Sequence, residues 1–155
     1  MEINKEINKG QAPNGGAADK GWGRPLATVA AGQKNGGNYQ FDQVYVDNGI
    51  VTIVEAKAGV SVTPSKSSHK IGDERFEQGH HNHTQSTIRH MQERYRNTRD
   101  PNLQITLDAM KDAIDNGQLR FKVVHQRIDS NGSLGKLSVT EYDQSEVVFP
   151  QSRSF

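Results

Sequence analysis

The pattern of apolar and polar positions first becomes regular near residue 39, where it predicts a β-hairpin. Residues 39–47 and 50–57 are rich in Val, Ile and Tyr and are separated by Asn48-Gly49. Asn-Gly is the strongest short-range signal for a two-residue type I′ turn. In the second strand, apolar residues occupy both faces, which indicates a strand that is buried on both sides, as in an α/β sheet.

After residue 72, apolar residues recur at the three- and four-residue spacing of a helix. We expect residues 58–72, which hold Gly59, Pro64 and four serines, to form a loop. A helix is predicted over residues 73–95, with an inward stripe made of Phe76, His80, Thr84, Ile88, Met91 and Tyr95. A second helix is predicted to begin at Asp100-Pro101, an N-cap followed by proline at the first helical position, and to end at Asn116-Gly117. Its stripe is Leu103, Leu107, Met110 and Ile114.

The last regular pattern predicts a second hairpin, from strands at 119–128 and 136–142. The order hairpin, helix, helix, hairpin predicts a central mixed β-sheet flanked by helices, in the α/β or α+β class. Residues 1–38 differ, because two Gly-rich stretches there are linker-like, while Trp22, Pro25, Leu26 and Val29 are suited to docking on the domain or to a short helix. We therefore divide the chain into a partly ordered leader, residues 1–38, and one domain, residues 39–155.

Composition limits the class of protein. A chain of 155 residues is long enough for one domain, although only 32% of the residues are hydrophobic and the mean hydropathy is −0.81. The formal net charge of +1 does not by itself indicate a nucleic-acid-binding protein, but a local basic patch can still bind a polyanion. The absence of cysteine excludes a disulfide scaffold and a thiolate zinc site. No run approaches the length of a transmembrane helix, so we expect no membrane span, and the first residues lack the apolar run of a secretory signal.

The predicted hairpin brings like charges together. If its turn closes as expected, Asp42 lies opposite Glu55, and Glu55 shares a face of its strand with Lys57. Opposed like charges destabilise a sheet, and a divalent cation between two carboxylates removes that cost. Two hard oxygen ligands, with the carbonyl of Ala56 beside them, suit Mg²⁺ or Mn²⁺. The alternative is a solvated ion pair, but a strand buried on both faces favours a functional site.

These residues also carry a family resemblance. Asp42, followed thirteen residues later by Glu55-Ala56-Lys57 at the end of a buried strand, resembles the Asp…Glu-X-Lys core of the PD-(D/E)XK nuclease superfamily. Residues 41–45 and 53–59, with Gln78-Gly79, are similar to the restriction-endonuclease-like domains of bacterial polymorphic and contact-dependent inhibition toxins. The resemblance covers residues 39–143. The family's Glu-Ala-Lys-Gly-Gly and Gln-Gly-Thr segments are altered here, because Ala58 replaces a glycine and His80 replaces the threonine.

The resemblance implies a metal-dependent endonuclease with a restriction-endonuclease-like core. Asp42 and Glu55 would bind the metal with help from the carbonyl of Ala56, Lys57 would support the nucleophile and the transition state, and Gln78 would assist. The expected ion is Mg²⁺, with Mn²⁺ and Zn²⁺ as alternatives. Many members carry a further acidic residue on a helix before the first strand, and for that role this chain offers Glu2 or Glu6.

The resemblance also implies partners. DNA is the expected substrate, and a tRNA-cleaving toxin of the same fold is the alternative. A cognate immunity protein would protect the producer, from which the toxin is secreted or delivered by contact to act in the cytoplasm of a target cell. A non-enzyme alternative is a nucleic-acid or protein binding module that keeps the nuclease-like fold, and a structural protein that carries these residues by chance is a further one.

Basic and histidine residues near the predicted site are the remaining candidates. Lys66, Lys70 and Arg75 lie in the predicted loop and helix start, where we expect them to contact the nucleic-acid backbone. The cluster of His80, His81 and His83 lacks the spacing by which one helix binds zinc. We therefore expect His80 to pack inward. The alternative is that one histidine of this cluster, such as His80 near the helix start, contacts a substrate phosphate or a second metal.

Overall fold

The computed structural model describes residues 21–34, 39–59, 68–71, 74–77 and 79–151; for 68–71 and 74–77 it describes the backbone. In these ranges the chain forms, in order, β1 (Arg24–Leu26), β2 (Gln43–Asp47), β3 (Ile50–Gly59), β4 (Ser68–Ile71), β5 (Glu74–Glu77), α1 (His81–Thr98), α2 (Pro101–Asp115), β6 (Leu119–Ile128) and β7 (Leu134–Tyr142). Neither of these helices has the combination of length and apolar character that crossing a bilayer requires.

Five of the strands form one mixed sheet in the order β1-β2-β3-β6-β7. The β3–β6 pair is parallel and the other pairs are antiparallel. A parallel pair needs a long crossover, and α1 and α2 lie within it. The predicted mixed sheet with flanking helices is therefore confirmed as an α+β architecture, while β4 and β5 form a separate two-stranded sheet.

The turn and the register of the predicted first hairpin are confirmed, but its first strand begins at Gln43 and not at residue 39. Tyr39 has a φ of 61°, which lies outside the β region. Asn48 and Gly49 both have positive φ, 51° and 83°, as a type I′ turn requires. Asp47 pairs with Ile50, and Gln43 at the other end of β2 pairs with Val54. This register leaves Asp42 just beyond β2, next to the carboxyl-terminal half of β3.

Both faces of β3 are buried, as predicted. Val51 and Ile53 pack in the main core with apolar residues of both helices, whereas Val54 packs on the opposite face with Trp22 and Tyr45. The ring centroids of Trp22 and Tyr45 lie 5.6 Å apart. Part of the expected leader thus contributes to the domain, since Trp22 is buried and residues 24–26 form a strand of the sheet and not a short helix.

The start of α1 differs from the prediction. The helix begins at His81 and not at residue 73, because residues 74–77 form β5, paired with β4 in a region predicted as a loop. Gly79 has a φ of 93°, a conformation that favours glycine and interrupts a helix. The predicted inward stripe is therefore wrong for Phe76, which lies in β5, and right for Thr84, Ile88 and Met91, which are fully buried.

His80 is not part of the inward stripe either. It is exposed and is the N-cap of α1, with its Nδ1 accepting a hydrogen bond from the backbone N–H of Asn82 at 3.0 Å. A side chain that accepts this bond satisfies one of the free N–H groups of the first helical turn. The sequence suggested an inward residue because the helical spacing was extended through a position that precedes the helix.

The second helix and the last hairpin follow the sequence closely. Asp100 caps α2, accepting a hydrogen bond from the backbone N–H of Asn102 at 2.9 Å, and Pro101 is the first helical residue. Gly117 follows the helix with a φ of 68°. The buried residues of α2 include Leu103, Leu107 and Met110. Strand β6 has the predicted bounds, and β7 begins somewhat earlier than predicted.

Candidate active site

The carboxyl-terminal half of β3 carries a charged pair on the face that points to the helices. Because side chains alternate along a strand, Glu55 and Lys57 share the face of Ile53, which packs in the main core. Glu55 is 3% exposed and Lys57 is partly buried. Charged residues thus continue a row that is apolar at its start.

Asp42 contacts this part of β3 through both its backbone and its side chain. The N–H of Asp42 donates a hydrogen bond to Oε1 of Glu55 at 3.3 Å. Its Oδ2 accepts one from the N–H of Ala56, also at 3.3 Å. The structure therefore brings together Asp42, Glu55 and Ala56 as the sequence predicted, with Lys57 one pleat farther along.

The raised pKa of Glu55 shows that this arrangement makes the ionised carboxylate unfavourable. Burial raises the pKa of Glu55 well above its ordinary value, and a side-chain hydrogen bond with Asp42 and the charge of the Asp42 carboxylate raise it further. The hydrogen bond from the backbone N–H of Asp42 lowers this pKa, with a smaller effect than burial. The positive charge of Lys57 also lowers this pKa, with a smaller effect. Ionised Glu55 is therefore costly unless a cation lies close to it.

The donor set fits a hard divalent ion. Among the described residues, no group of three or more His, Asp or Glu side chains is arranged to hold a metal. Mg²⁺ does not need such a group, since it keeps several waters and is usually bound by one or two carboxylates and substrate phosphates. Asp42 and Glu55 supply that number. The N–H and C=O of one strand residue point to the same side of the strand. The carbonyl of Ala56 therefore lies on the side of β3 where the Ala56 N–H donates to Asp42.

Several predicted site residues lie outside the described part of the chain. These are Gln78, Lys66, Glu2 and Glu6. Lys70 and Arg75 are register partners in the β4–β5 hairpin, whose backbone lies against α1. Their predicted contact with nucleic acid stays a prediction.

The histidines of α1 do not converge on one point. His81 contacts Glu146, with 3.2 Å between Nδ1 and Oε2, and its ring stacks on that of His80 at 4.3 Å. His83 is buried, whereas the ring of His90 lies 4.1 Å from that of Tyr39. His81, His83 and His90 of α1 therefore lie in different surroundings.

The last residue of β7 and the segment just after it anchor the start of α1. Gln144 is buried, and its Oε1 accepts a hydrogen bond from Oγ1 of Thr84 at 2.6 Å. Its Nε2 donates to the carbonyl of Gly79 at 2.8 Å. The ring of Tyr142 covers Gly79 so closely that a Cβ there would lie 2.6 Å from the Tyr142 Cγ. The sequence predicts no element after residue 142, and it contains no local pattern that links Gln144 to α1.

His125 is a residue that sequence reasoning placed in a strand without a role. The parallel register pairs it with Lys57, and it is 7% exposed. It shares the face of Phe121 and Val123, which pack in the main core. The sequence contains one signal for this position: in β6, alternate residues on the core face are apolar, and His125 follows them on that face.

Comparisons with protein-family models, with curated proteins and with solved structures identify no match to this chain.

Proposed function

We propose that this protein is a metal-dependent nuclease that hydrolyses DNA, with a PD-(D/E)XK type of site on a restriction-endonuclease-like core. The observation that carries the proposal is the contact between Asp42 and Glu55 at the end of a buried strand. The Asp42 side chain adds to the cost of ionising the buried Glu55 carboxyl, and a structure without a use for this carboxyl gains from replacing it. The proposal of a restriction-endonuclease-like core is supported by the hairpin that carries the acidic residues and by the helix that begins just after Gly79.

The chain's own residues divide the chemistry between them. Asp42 and Glu55 hold the ion, which when bound polarises a phosphoryl oxygen and acidifies a water molecule. Lys57 places an ammonium group one pleat from Glu55, where it stabilises negative charge that develops on the phosphate. The positions are held by β3, whose residues Val51 to Glu55 are all buried. A rigid strand keeps these groups in place without reorganisation during the reaction.

A cleavage assay tests the proposal. Purified wild type, Glu55→Gln and Lys57→Met are incubated with plasmid DNA and total tRNA in parallel, with Mg²⁺, Mn²⁺, Zn²⁺ or EDTA. Glu141→Gln is the matched control, because Glu141 is exposed and pairs with Arg120 at 2.8 Å. We expect metal-dependent loss of DNA, with each site variant slower by on the order of 10²-fold or more and the control unchanged.

The other outcomes separate the alternatives. Loss of tRNA alone would favour the tRNA-cleaving toxin. No cleavage of either substrate with any metal would contradict the enzyme and favour a binding module. Equal cleavage by wild type and Glu55→Gln would show that the activity does not belong to this site.

We further propose that this nuclease is the C-terminal toxic module of a secreted or contact-delivered effector. Wild-type protein expressed in bacterial cytoplasm should then arrest growth, Lys57→Met should not, and a cognate immunity protein should restore growth. Normal growth with well-expressed wild type would contradict the toxin proposal while leaving the cleavage assay to decide the activity.

A further inference from the structure

The row of polar residues at the ends of β3 and β6 extends beyond the predicted site. The parallel register pairs Lys57 of β3 with His125 of β6. Neighbouring strands lie about 4.8 Å apart, so partners that share a face have their side chains side by side. The face is the same, because Ile53 on β3 and Phe121 on β6 both pack in the main core. Glu55, Lys57 and His125 therefore lie at one end of one sheet face, with Asp42 in contact with Glu55.

The two nitrogens of His125 have different surroundings. Nδ1 is enclosed and has no hydrogen-bond partner among the residues that the structure describes, whereas Nε2 is not enclosed in this way. A buried donor without an acceptor is costlier than a buried acceptor without a donor. The tautomer with the proton on Nε2 is therefore favoured, because the alternative would enclose an N–H group without an acceptor. In this tautomer His125 presents an N–H donor on its less enclosed side.

We do not assign His125 as a metal ligand, since among the described residues it does not form a metal-binding group with Asp42 and Glu55. Its neighbour Lys57 draws anions to this end of the sheet, and oxygens of a phosphate accept hydrogen bonds from neutral donors as well as from cations. We propose that His125 is a substrate-binding residue, whose Nε2–H donates a hydrogen bond to an oxygen of the phosphate that Lys57 attracts. The inference rests on the proposed function for the identity of that phosphate as part of a nucleic acid.

The first test follows binding without cleavage. Imidazole nitrogen resonances of the metal-free wild-type protein are recorded by NMR while inorganic phosphate, and then the dinucleotide TpT, are added. The His125 signals are assigned by their loss in His125→Gln. We expect a saturable shift of the His125 Nε2 resonance that is weaker in Lys57→Met. An unchanged His125 resonance, with or without shifts elsewhere, would overturn the inference.

Three variants distinguish a donor at Nε2 from a merely structural histidine. Glutamine places an amide nitrogen near the position of Nε2, asparagine places one near Nδ1, and leucine places none. We expect His125→Gln to bind TpT nearly as well as wild type, and both His125→Asn and His125→Leu to bind on the order of 10- to 100-fold more weakly. Equal weakening in all three, or none in His125→Leu, would overturn the inference. Thermal melts identify any variant that is simply unfolded, and the wild-type titration then still decides.

Parallel cleavage assays separate this inference from the proposed function. A saturable His125 shift in a protein that cleaves neither DNA nor tRNA would support the phosphate contact and contradict the nuclease. Metal-dependent cleavage that His125→Leu performs at the wild-type rate and KM would support the nuclease and overturn the role of His125.

Discussion

Replacing the buried Glu55 by glutamine should remove an unusual pH dependence of stability. The pKa of Glu55 is raised in the folded protein, mainly by burial and then by Asp42. Below its unfolded pKa the carboxyl is protonated in both states, and the associated stability is fully present. As the pH rises from the unfolded pKa through the raised folded pKa, the unfolded state releases this proton more readily than the folded state, so the free energy of unfolding falls. Glu55→Gln has no proton to lose, and this loss should disappear.

The size of the effect follows from the burial of the side chain. At 3% exposure, solvent screens the carboxylate little. Each unit by which a pKa is raised corresponds to about 1.4 kcal/mol of unfolding free energy above the folded pKa. For a chain of this length, 1 kcal/mol changes Tm by roughly 2–4 °C, so each unit should lower Tm by roughly 3–6 °C. Bound Mg²⁺ should offset the loss in wild type, because a cation stabilises the ionised form.

Thermal unfolding in EDTA, followed by circular dichroism between about pH 4 and about pH 8, measures this difference. The Tm of wild type should fall relative to that of Glu55→Gln as the pH rises. Glu141→Gln is the control, since its side chain is 43% exposed and its removal should cost about 1 kcal/mol or less. Parallel Tm curves for wild type and Glu55→Gln would refute the raised pKa and with it the electrostatic argument for a cation.

Three further substitutions test the packing that holds the site. Gly79→Ala should lower the free energy of unfolding in urea by roughly 2–5 kcal/mol, because of the positive φ and the overlap with Tyr142. Gly117→Ala is the control: it has a positive φ but open space around it, and should lower that free energy by about 1–2 kcal/mol. Equal losses would contradict the close approach of Tyr142 to Gly79. Trp22→Ala should cost about 3–5 kcal/mol if Trp22 belongs to the core, and an unchanged Tm would contradict that. Asp100→Ala should lower the midpoint of urea unfolding, since Asp100 caps α2 and also accepts a hydrogen bond from the N–H of Ala31; an unchanged midpoint would contradict the cap.

Local chemistry was enough to predict the part of the site that lies on one hairpin. Asn48 and Gly49 tolerate positive φ, so they select the turn, and the turn selects the register that puts Asp42 beside Glu55. The start of α2 could be predicted in the same way, because Asp100 and Pro101 favour a helix start through interactions with their own neighbours along the chain. In each case the determining interactions join residues that are close along the chain.

Contacts between distant segments decided the rest. Residues 74–77 carry no local pattern that separates strand from helix, and pairing with β4 settles them as a strand. The start of α1 depends on Gly79, whose carbonyl is bonded to Gln144 and whose surface is covered by Tyr142. His125 joins the site only because β6 pairs with β3 in one particular parallel register. A one-residue change in that register would turn His125 to the opposite face, and packing across the whole core, not local sequence, determines the register.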